Sequence, residues 1–307
     1  METTGETGRS AAPPAAGAQA ARAQAAGARP APPVVVLLHG FPEFWWAWRH
    51  QLPVLAAAGY RAVAMDLRGY GASDKTPRGY DPLTLAADVA GVIRGLGVRA
   101  AFVVGQGWGG YIGWAVTAGH PDCVRGLCAV SAPHPVELLR PPLRLLSRTP
   151  ATHIAAMQMP WLPERRIMRG DYVARHLAAW AAPGSGFPDP DVVDRYRAAL
   201  ALWPSPHCAL EYHRWLFRSR LRADGRAFTR SMRHSIDVPV QQVYGERDPA
   251  VSVAAIMGSA RHVTGRHTRS PIPAAGHFPH EEAPDQFTTA LLAWLSQCTA
   301  TGVDPVA

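Results

Sequence analysis

Short runs of consecutive apolar residues alternate with longer segments of helical periodicity over residues 33–133. The apolar runs lie at Val34–Leu38, Arg61–Met65, residues 101–104 and Val124–Val130. A run without polar alternation is typical of a strand that is buried on both faces of a parallel sheet. Helical periodicity follows over residues 44–58 and 83–96, and again after the third run as far as residue 120. The alternation predicts βαβ units, that is, a parallel sheet with helices on both faces.

The alternation stops at residues 132–135, and about a hundred residues of proline-interrupted helical pattern follow. It then resumes with a strand at 238–244, a helix at Val253–Gly258, a weak strand at His267–Ile272 and a last helix at 284–297. We therefore expect one α/β domain, built from residues 33–133 and 236–299. Its mostly parallel sheet has about six strands, and a helical cap, or lid, of residues 134–235 is inserted into it.

Residues 1–32 consist almost entirely of Ala, Gly, Pro, Gln, Thr and a few Arg, so they offer no apolar surface to bury. Such a segment is predicted to be a disordered tail. The chain has neither a secretory signal pattern nor the ~20 consecutive apolar residues of a membrane span. Its four cysteines show no paired spacing, which favours reduced thiols over a metal site or disulfides. These features predict a cytoplasmic protein, and no motif indicates a metal or a cofactor.

The formal net charge of +8 lies within the predicted cap, where 16 Arg stand against 8 Asp and Glu. Five of these arginines recur at every fourth position: Arg214, Arg218, Arg222, Arg226 and Arg230. On a helix this spacing would place them along one face. A solvated arginine face is the ordinary interpretation, and peripheral contact with an anionic membrane is the alternative. No nucleic-acid-binding module accompanies the charge, so nucleic acid is not an expected partner.

A glycine-rich turn, Gly105-Gln-Gly-Trp-Gly-Gly110, lies between the third apolar run and the helix that follows. A strand that enters a helix through a Gly-x-nucleophile-x-Gly turn is a nucleophile elbow. The nucleophile position here is Gly107, which has no side chain. A residue at that position adopts a positive φ, which costs a non-glycine residue roughly 1–3 kcal/mol and glycine very little. No covalent intermediate can form at Gly107.

Three further motifs accompany this turn at the ends of predicted strands. His39-Gly-Phe-Pro42 follows the first strand, so the Phe41 amide, with that of Trp108, is a candidate oxyanion donor. Asp248 follows the fifth strand and His277 the sixth, and the order elbow, acid, histidine is that of α/β-hydrolases.

Gly105, Gly107 and Gly110 also match a dinucleotide-binding fingerprint. However, the next strand ends at Ser131 rather than at an acidic residue, and the fingerprint follows the third strand instead of the first. Both departures disfavour nucleotide binding.

Residues 39–51, 66–74 and 105–110 together resemble the epoxide hydrolases of the α/β-hydrolase superfamily, in the branch shared with haloalkane dehalogenases. The resemblance implies an Asp nucleophile, a His–Asp pair that activates water, and two lid tyrosines that protonate the leaving oxygen. Here Gly107 stands at the nucleophile position. Alignment puts His213 at one tyrosine position, with Tyr212 one residue away, and Ala156 at the other. Tyr212 and His213 are therefore the cap residues expected in the substrate pocket.

The resemblance also implies an antiparallel pair of strands before Val34–Leu38. Residues 1–32 cannot form it, so the sheet lacks this N-terminal hairpin and Arg61–Met65 is predicted to be a bare edge. Such an edge suggests dimerisation or a wrongly assigned start of the chain.

The sequence thus favours a hydrolase of a small apolar molecule, in which His277, oriented by Asp248, activates water. Two alternatives stay open. Ser131, at the end of the fourth strand, could serve as the nucleophile. The chain could also be a catalytically inactive protein of the same fold that binds a ligand or acts as a scaffold.

Overall fold

The computed structural model describes residues 31–138 and 148–300, apart from the side chains of residues 148–151 and 220. Six strands form one sheet with the order β2-β1-β3-β4-β5-β6, and every neighbouring pair is parallel. The strands are β1 (Val34–Leu38), β2 (Arg61–Met65), β3 (Ala101–Gln106), β4 (Val124–Val130), β5 (Val240–Gly245) and β6 (His267–Ile272). This confirms the predicted parallel sheet of six strands. The predicted disordered tail falls almost entirely outside the described residues.

Strand β1 lies between β2 and β3 and is buried on both faces, as its unbroken apolar run predicts. Val34, Val36 and Leu38 belong to one hydrophobic cluster, whereas Val35 and Leu37 belong to another on the opposite face. Side chains alternate between the faces of a strand, so both faces must be covered by other elements.

Helices provide this cover. They are α1 (Gln51–Ala57), α2 (Pro82–Gly95), α3 (Trp108–Gly119), α11 (Val253–Gly258), α12 (Pro279–Glu282) and α13 (Pro284–Ala300). Helices α2 and α3 pack against each other, and α1 packs against α13. The helix predicted over residues 44–58 is instead a 3-10 turn at Trp45–Trp48 followed by α1.

The chain between β4 and β5 is helical wherever it has regular structure within the described residues. The helices are α4 (Pro135–Leu138), α5 (Arg148–Ala156), α6 (Leu162–Met168), α7 (Tyr172–Trp180), α8 (Pro190–Leu200), α9 (Ser205–Arg218) and α10 (Ala223–Ser231). Residues 139–147 are not described. We refer to the region from α4 to α10 as the cap, and its limits at residues 134 and 235 stay a prediction.

The arginine run of the cap does not lie along one helix face, so that prediction is wrong. Helix α9 ends at Arg218, and a 3-10 turn at Ser219–Leu221 separates it from α10. Arg214 is buried, and its guanidinium lies 2.8 Å from the Glu164 carboxylate. Its role is to hold α9 against α6, not to present charge to a partner.

Strand β2 forms the edge of the sheet and pairs with β1 alone among the described strands. Its residues are exposed or half-buried, unlike those of β1. Within the described residues, no helix combines the length and the apolar character that crossing a membrane requires.

The turn from β3 into α3 brings backbone into contact with backbone. A Cβ atom on Gly109 would lie 2.2 Å from the carbonyl oxygen of Leu38 at the end of β1. A Cβ atom on Gly105 would lie 2.3 Å from the carbonyl oxygen of Gly109. Only glycine permits this approach, which seats the first turn of α3 directly on the carboxyl ends of β1 and β3.

Gly109→Ala should therefore lower the free energy of unfolding by about 1–3 kcal/mol, since the added methyl group must push α3 away from β1. Gly91→Ala is the matched control, because Gly91 lies within α2 with no heavy atom within 4 Å of its Cβ position. The control should raise the free energy of unfolding by about 0.5–1 kcal/mol. Urea denaturation measures both changes, and equal effects at the two positions would contradict the close approach.

Candidate active site

The carboxyl ends of parallel strands meet at one edge of a sheet, and the site residues predicted in the α/β domain follow such ends. Gly107 follows β3, and Ser131 follows β4. Asp248 follows β5, and His277 follows β6. The loop after β1 contributes Phe41. All of them except Asp248 line one cavity.

Gly107 has φ +51° and ψ −113°, in the left-handed half of backbone space that glycine tolerates. A Cβ atom built there would meet two neighbours, His277 Nε2 at 3.4 Å and Gly40 Cα at 3.8 Å. A side chain at this position would thus point at the imidazole of His277. The backbone therefore has the geometry of a nucleophile elbow, but glycine provides no nucleophilic atom.

His277 and Asp248 form an ordered pair. His277 Nδ1 lies 2.9 Å from Asp248 Oδ2, and the Asp248 side chain is only 2% exposed. The other oxygen of Asp248 accepts hydrogen bonds from the Ala250 and Val251 amides, at 2.7 and 3.1 Å. Because Asp248 accepts, Nδ1 carries the proton in neutral His277, and the lone pair of Nε2 faces Gly107.

Two further contacts fix the position of His277. Its backbone N–H donates to the carbonyl oxygen of Trp180 at the end of α7, at 2.9 Å. Its carbonyl oxygen accepts from Gln106 Nε2, also at 2.9 Å. The Trp180 ring stands edge-on to the imidazole, with 4.9 Å between centroids. The cap therefore takes part in orienting the histidine.

Burial lowers the pKa of His277, but the Asp248 carboxylate more than offsets this, and the pKa is raised above the ordinary 6.5. Both the Coulombic attraction and the hydrogen bond to Asp248 favour the imidazolium form. A histidine with this pKa can take a proton and hold it in an apolar setting, as a general base does.

The candidate oxyanion donors, Phe41 and Trp108, both line the cavity. Trp108 is the first residue of α3, where backbone N–H groups have no carbonyl partner within the helix. The loop carrying Phe41 is held by Glu43, whose carboxylate accepts from the Gly40 amide at 3.0 Å and lies 3.1 Å from His280. Both side chains of the Glu43–His280 pair are fully buried. The oxyanion role of the two amides stays a prediction.

The cavity has a volume of about 100 Å³, enough for a small molecule. Apart from Gly107, its described lining is apolar or aromatic, with Ser131 and four histidines as its main polar groups: His153, His176, His213 and His277. No Asp or Glu is among these lining residues.

His213 and His153 form a pair on the cap side of the cavity, with their Nε2 atoms 3.2 Å apart. Trp108 Nε1–H donates to His213 Nε2 at 3.1 Å, and His213 Nδ1 lies 3.0 Å from the Ala209 carbonyl oxygen. His213 therefore carries its proton on Nδ1, and its Nε2 is an acceptor. His153 must then be the donor of the pair, with its proton on Nε2, and its Nδ1 can accept from the Tyr172 hydroxyl at 3.4 Å.

Of the two cap residues expected in the pocket, His213 lines the cavity and Tyr212 does not. Tyr212 does not line the cavity, because its hydroxyl donates to the Arg68 carbonyl oxygen at 2.7 Å and its ring packs against Tyr70 and Tyr80. Ala156 is exposed and does not line the cavity either. His153, one helical turn earlier in α5, lies there instead. The signal that the sequence offered was a single histidine three residues before the expected position.

Burial lowers the pKa of all three cap histidines. The pKa of His213 falls to about 4, and those of His153 and His176 fall well below 6.5, with the neighbouring histidines adding to the effect for both. Near neutral pH the cavity therefore holds three uncharged imidazoles and one, His277, that titrates above the ordinary value.

Ser131 has a positive φ of +48°, which is uncommon for a residue with a side chain. Its Oγ is buried and has no hydrogen-bond partner among the described residues. In particular, no hydrogen bond joins it to His277, so the structure does not show the activated pair that a serine nucleophile requires.

One group of described residues could bring three ligand atoms together around a cation, namely Glu43, His280 and Glu281. Arg49 already donates two hydrogen bonds to Glu281, at 2.6 and 2.7 Å, and Tyr196 donates a third. A guanidinium thus provides the positive charge for Glu281. We interpret the group as a buried ionic cluster beneath the Phe41 loop.

The titration order of the histidines is a direct check on this electrostatic description. In an NMR titration, His277 should titrate above pH 6.5 because Asp248 favours its charged form. His213 should titrate only at about 4, because burial disfavours its charged form. A His213 midpoint near 6.5 would contradict the buried, neutral pair.

Comparison with known proteins places these features in a family context. The model of a family described as "Alpha/beta hydrolase family" matches residues 35–290. The AB hydrolase superfamily protein YfhM of Bacillus subtilis is 33% identical over 279 residues, covering 88% of this chain and 93% of that protein. Epoxide hydrolase A of Mycobacterium tuberculosis is 32% identical over 296 residues, covering 87% and 91% of the two chains.

Solved structures show the same likeness. A putative epoxide hydrolase from Pseudomonas aeruginosa superimposes with a TM-score of 0.72 at 26% sequence identity, covering 88% of this chain and 90% of that one.

Proposed function

The chain belongs to the alpha/beta hydrolase family, and we propose that it hydrolyses a small apolar epoxide with water activated by His277, without a covalent ester intermediate. The observation that carries the proposal is the position of His277 Nε2, which lies 3.4 Å from the point where a Gly107 side chain would begin. His277 and Asp248 are hydrogen-bonded to each other, and the residue at the nucleophile position is glycine.

The proposed reaction has the following steps. A water molecule beside Gly107 gives a proton to His277 Nε2, and its oxygen attacks an epoxide carbon. The carbon–oxygen bond of the ring breaks as the new bond forms. Asp248 stabilises the imidazolium that results. The alkoxide takes up the proton that His277 received, and the product is a diol.

The developing alkoxide needs a hydrogen-bond donor. His153 Nε2–H, which donates to His213 in the free cavity, can turn to the alkoxide instead, since burial keeps this imidazole neutral. A neutral N–H group that donates a hydrogen bond can stabilise a negative charge in a cavity that excludes water. The aromatic and aliphatic walls favour an apolar substrate.

His277→Ala should reduce epoxide hydrolysis by roughly 10²–10⁴-fold, the usual contribution of a general base. His234→Ala, which removes an exposed histidine after α10, is the matched control and should leave the rate unchanged. Initial rates on a panel of small apolar epoxides and esters measure both. Full activity in His277→Ala would overturn the proposal. A natural protein that binds these compounds without turnover would instead favour the ligand-binding alternative.

The pH profile provides a second test. Only neutral His277 can accept a proton, and its pKa is raised, so activity should fall as the pH drops through a value above 6.5. Asp248→Asn removes the charge that raises this pKa and leaves the effect of burial. The acid limb of kcat/KM should then move to lower pH, and the plateau should fall roughly 10²–10⁴-fold because the Nδ1–H tautomer is no longer enforced. An unchanged acid limb would show that another group controls the profile.

A further inference from the structure

We propose that the cavity beside Gly107 binds the carboxylate group of a short monocarboxylic acid, with its oxygens in the space that a side chain at residue 107 would occupy. The inference concerns binding alone. It goes beyond the proposed hydrolysis and holds whether or not the cavity turns over an epoxide.

The space at Gly107 suits an anion. Its two nearest neighbours are His277 Nε2 and Gly40 Cα, so a group placed there meets a nitrogen that can donate when protonated. Gly107 is also the N-terminal cap of α3, a helix of twelve residues, and Trp108 is its first residue. The unpaired N–H groups and the dipole of a helix N-terminus attract negative charge.

A buried hydroxyl provides independent evidence for a ligand. Ser131 is 1% exposed, its Oγ has no hydrogen-bond partner among the described residues, and it lines the same cavity. The sheet register places it beside Gly107, because Gln106 pairs with Val130 and the next residue on each strand follows. Buried polar groups in proteins are nearly always hydrogen-bonded, so this hydroxyl lacks an acceptor that a carboxylate oxygen would supply.

The cavity walls do not oppose an anion. The described lining contains four histidines and no Asp or Glu, so no carboxylate of the cavity wall repels an incoming anion. His176 Nε2, on α7, is a second buried polar atom without a partner among the described residues, in a side chain that is 6% exposed.

The remaining walls indicate what kind of acid fits. Leu138, Ile154 and Leu216 line the cavity together with the rings of Trp180 and Phe41. These side chains can pack against a short alkyl chain, and they provide few hydrogen-bonding atoms for a second charged group. The ligand class is therefore a short-chain monocarboxylate.

Butyrate and its neutral isostere butyramide test the proposal by isothermal titration calorimetry on the full chain. Butyrate should bind roughly tenfold more tightly, since hydrogen bonds to a charged acceptor are about twice as strong as neutral ones. Chloride at the same ionic strength should compete only weakly. Equal affinities for the acid and the amide, or no binding of butyrate, would overturn the proposal.

Variants locate the site. Gly107→Asp should abolish butyrate binding, because the new side chain fills the space with a carboxylate of its own. Gly59→Asp is the matched control, since Gly59 also has a positive φ, +85°, but nothing lies within 4 Å of its Cβ position. The control should bind butyrate like the natural protein. Unchanged binding by a folded Gly107→Asp variant would place the site elsewhere.

Ser131→Ala keeps the Cβ atom and removes one donor, so it should weaken butyrate binding roughly fivefold. It also serves where Gly107→Asp does not fold. Unchanged butyrate affinity in this variant would remove the role assigned to the hydroxyl. Epoxide turnover without butyrate binding would contradict this inference and support the hydrolase proposal. Butyrate binding without epoxide turnover would support this inference and contradict the hydrolase proposal.

Discussion

The sharp turn between β3 and α3 is the constraint on which the site depends. Gly105 and Gly109 let the backbone of α3 approach β1 and β3 more closely than any Cβ atom allows, and Gly107 adopts a left-handed φ at the tip. The helix N-terminus, the Phe41 loop and His277 all converge there as a result. The turn keeps this geometry with a glycine at its tip because the geometry follows from backbone packing and does not need a side chain at residue 107.

The four histidines of the cavity differ in pKa because their electrostatic surroundings differ. Asp248 lies behind His277 and raises its pKa, so this ring is the one suited to take up a proton. The cap histidines have no such partner, and burial keeps them neutral. Trp180 lies between the two groups, with its ring 4.9 Å from His277 and 5.2 Å from His153, centroid to centroid. The core thus holds the one imidazole with a raised pKa, and the cap holds neutral imidazoles and apolar walls.

The sequence was sufficient for the elements whose signal is local. The buried strands, the order of Gly107, Asp248 and His277, and the positive φ at Gly107 all follow from short motifs and apolar runs. The cap was less predictable, because its helices are short and interrupted by prolines. The spacing of the arginines suggested one helix face, but the turn at Ser219–Leu221 interrupts the helix. In addition, an ion pair with Glu164 holds Arg214 in the interior. His153 enters the cavity through the packing of α5, which no local pattern reveals.

Isotope labelling tests the central claim, direct attack by water, most directly. A single turnover of an epoxide in H₂¹⁸O, with protein in excess, should give a diol that carries the heavy oxygen in the first turnover, and no peptide of the protein should gain mass. An enzyme that attacks with its own side chain transfers an oxygen of that side chain to the first product. An unlabelled first product, or a labelled peptide after repeated turnovers, would contradict the account.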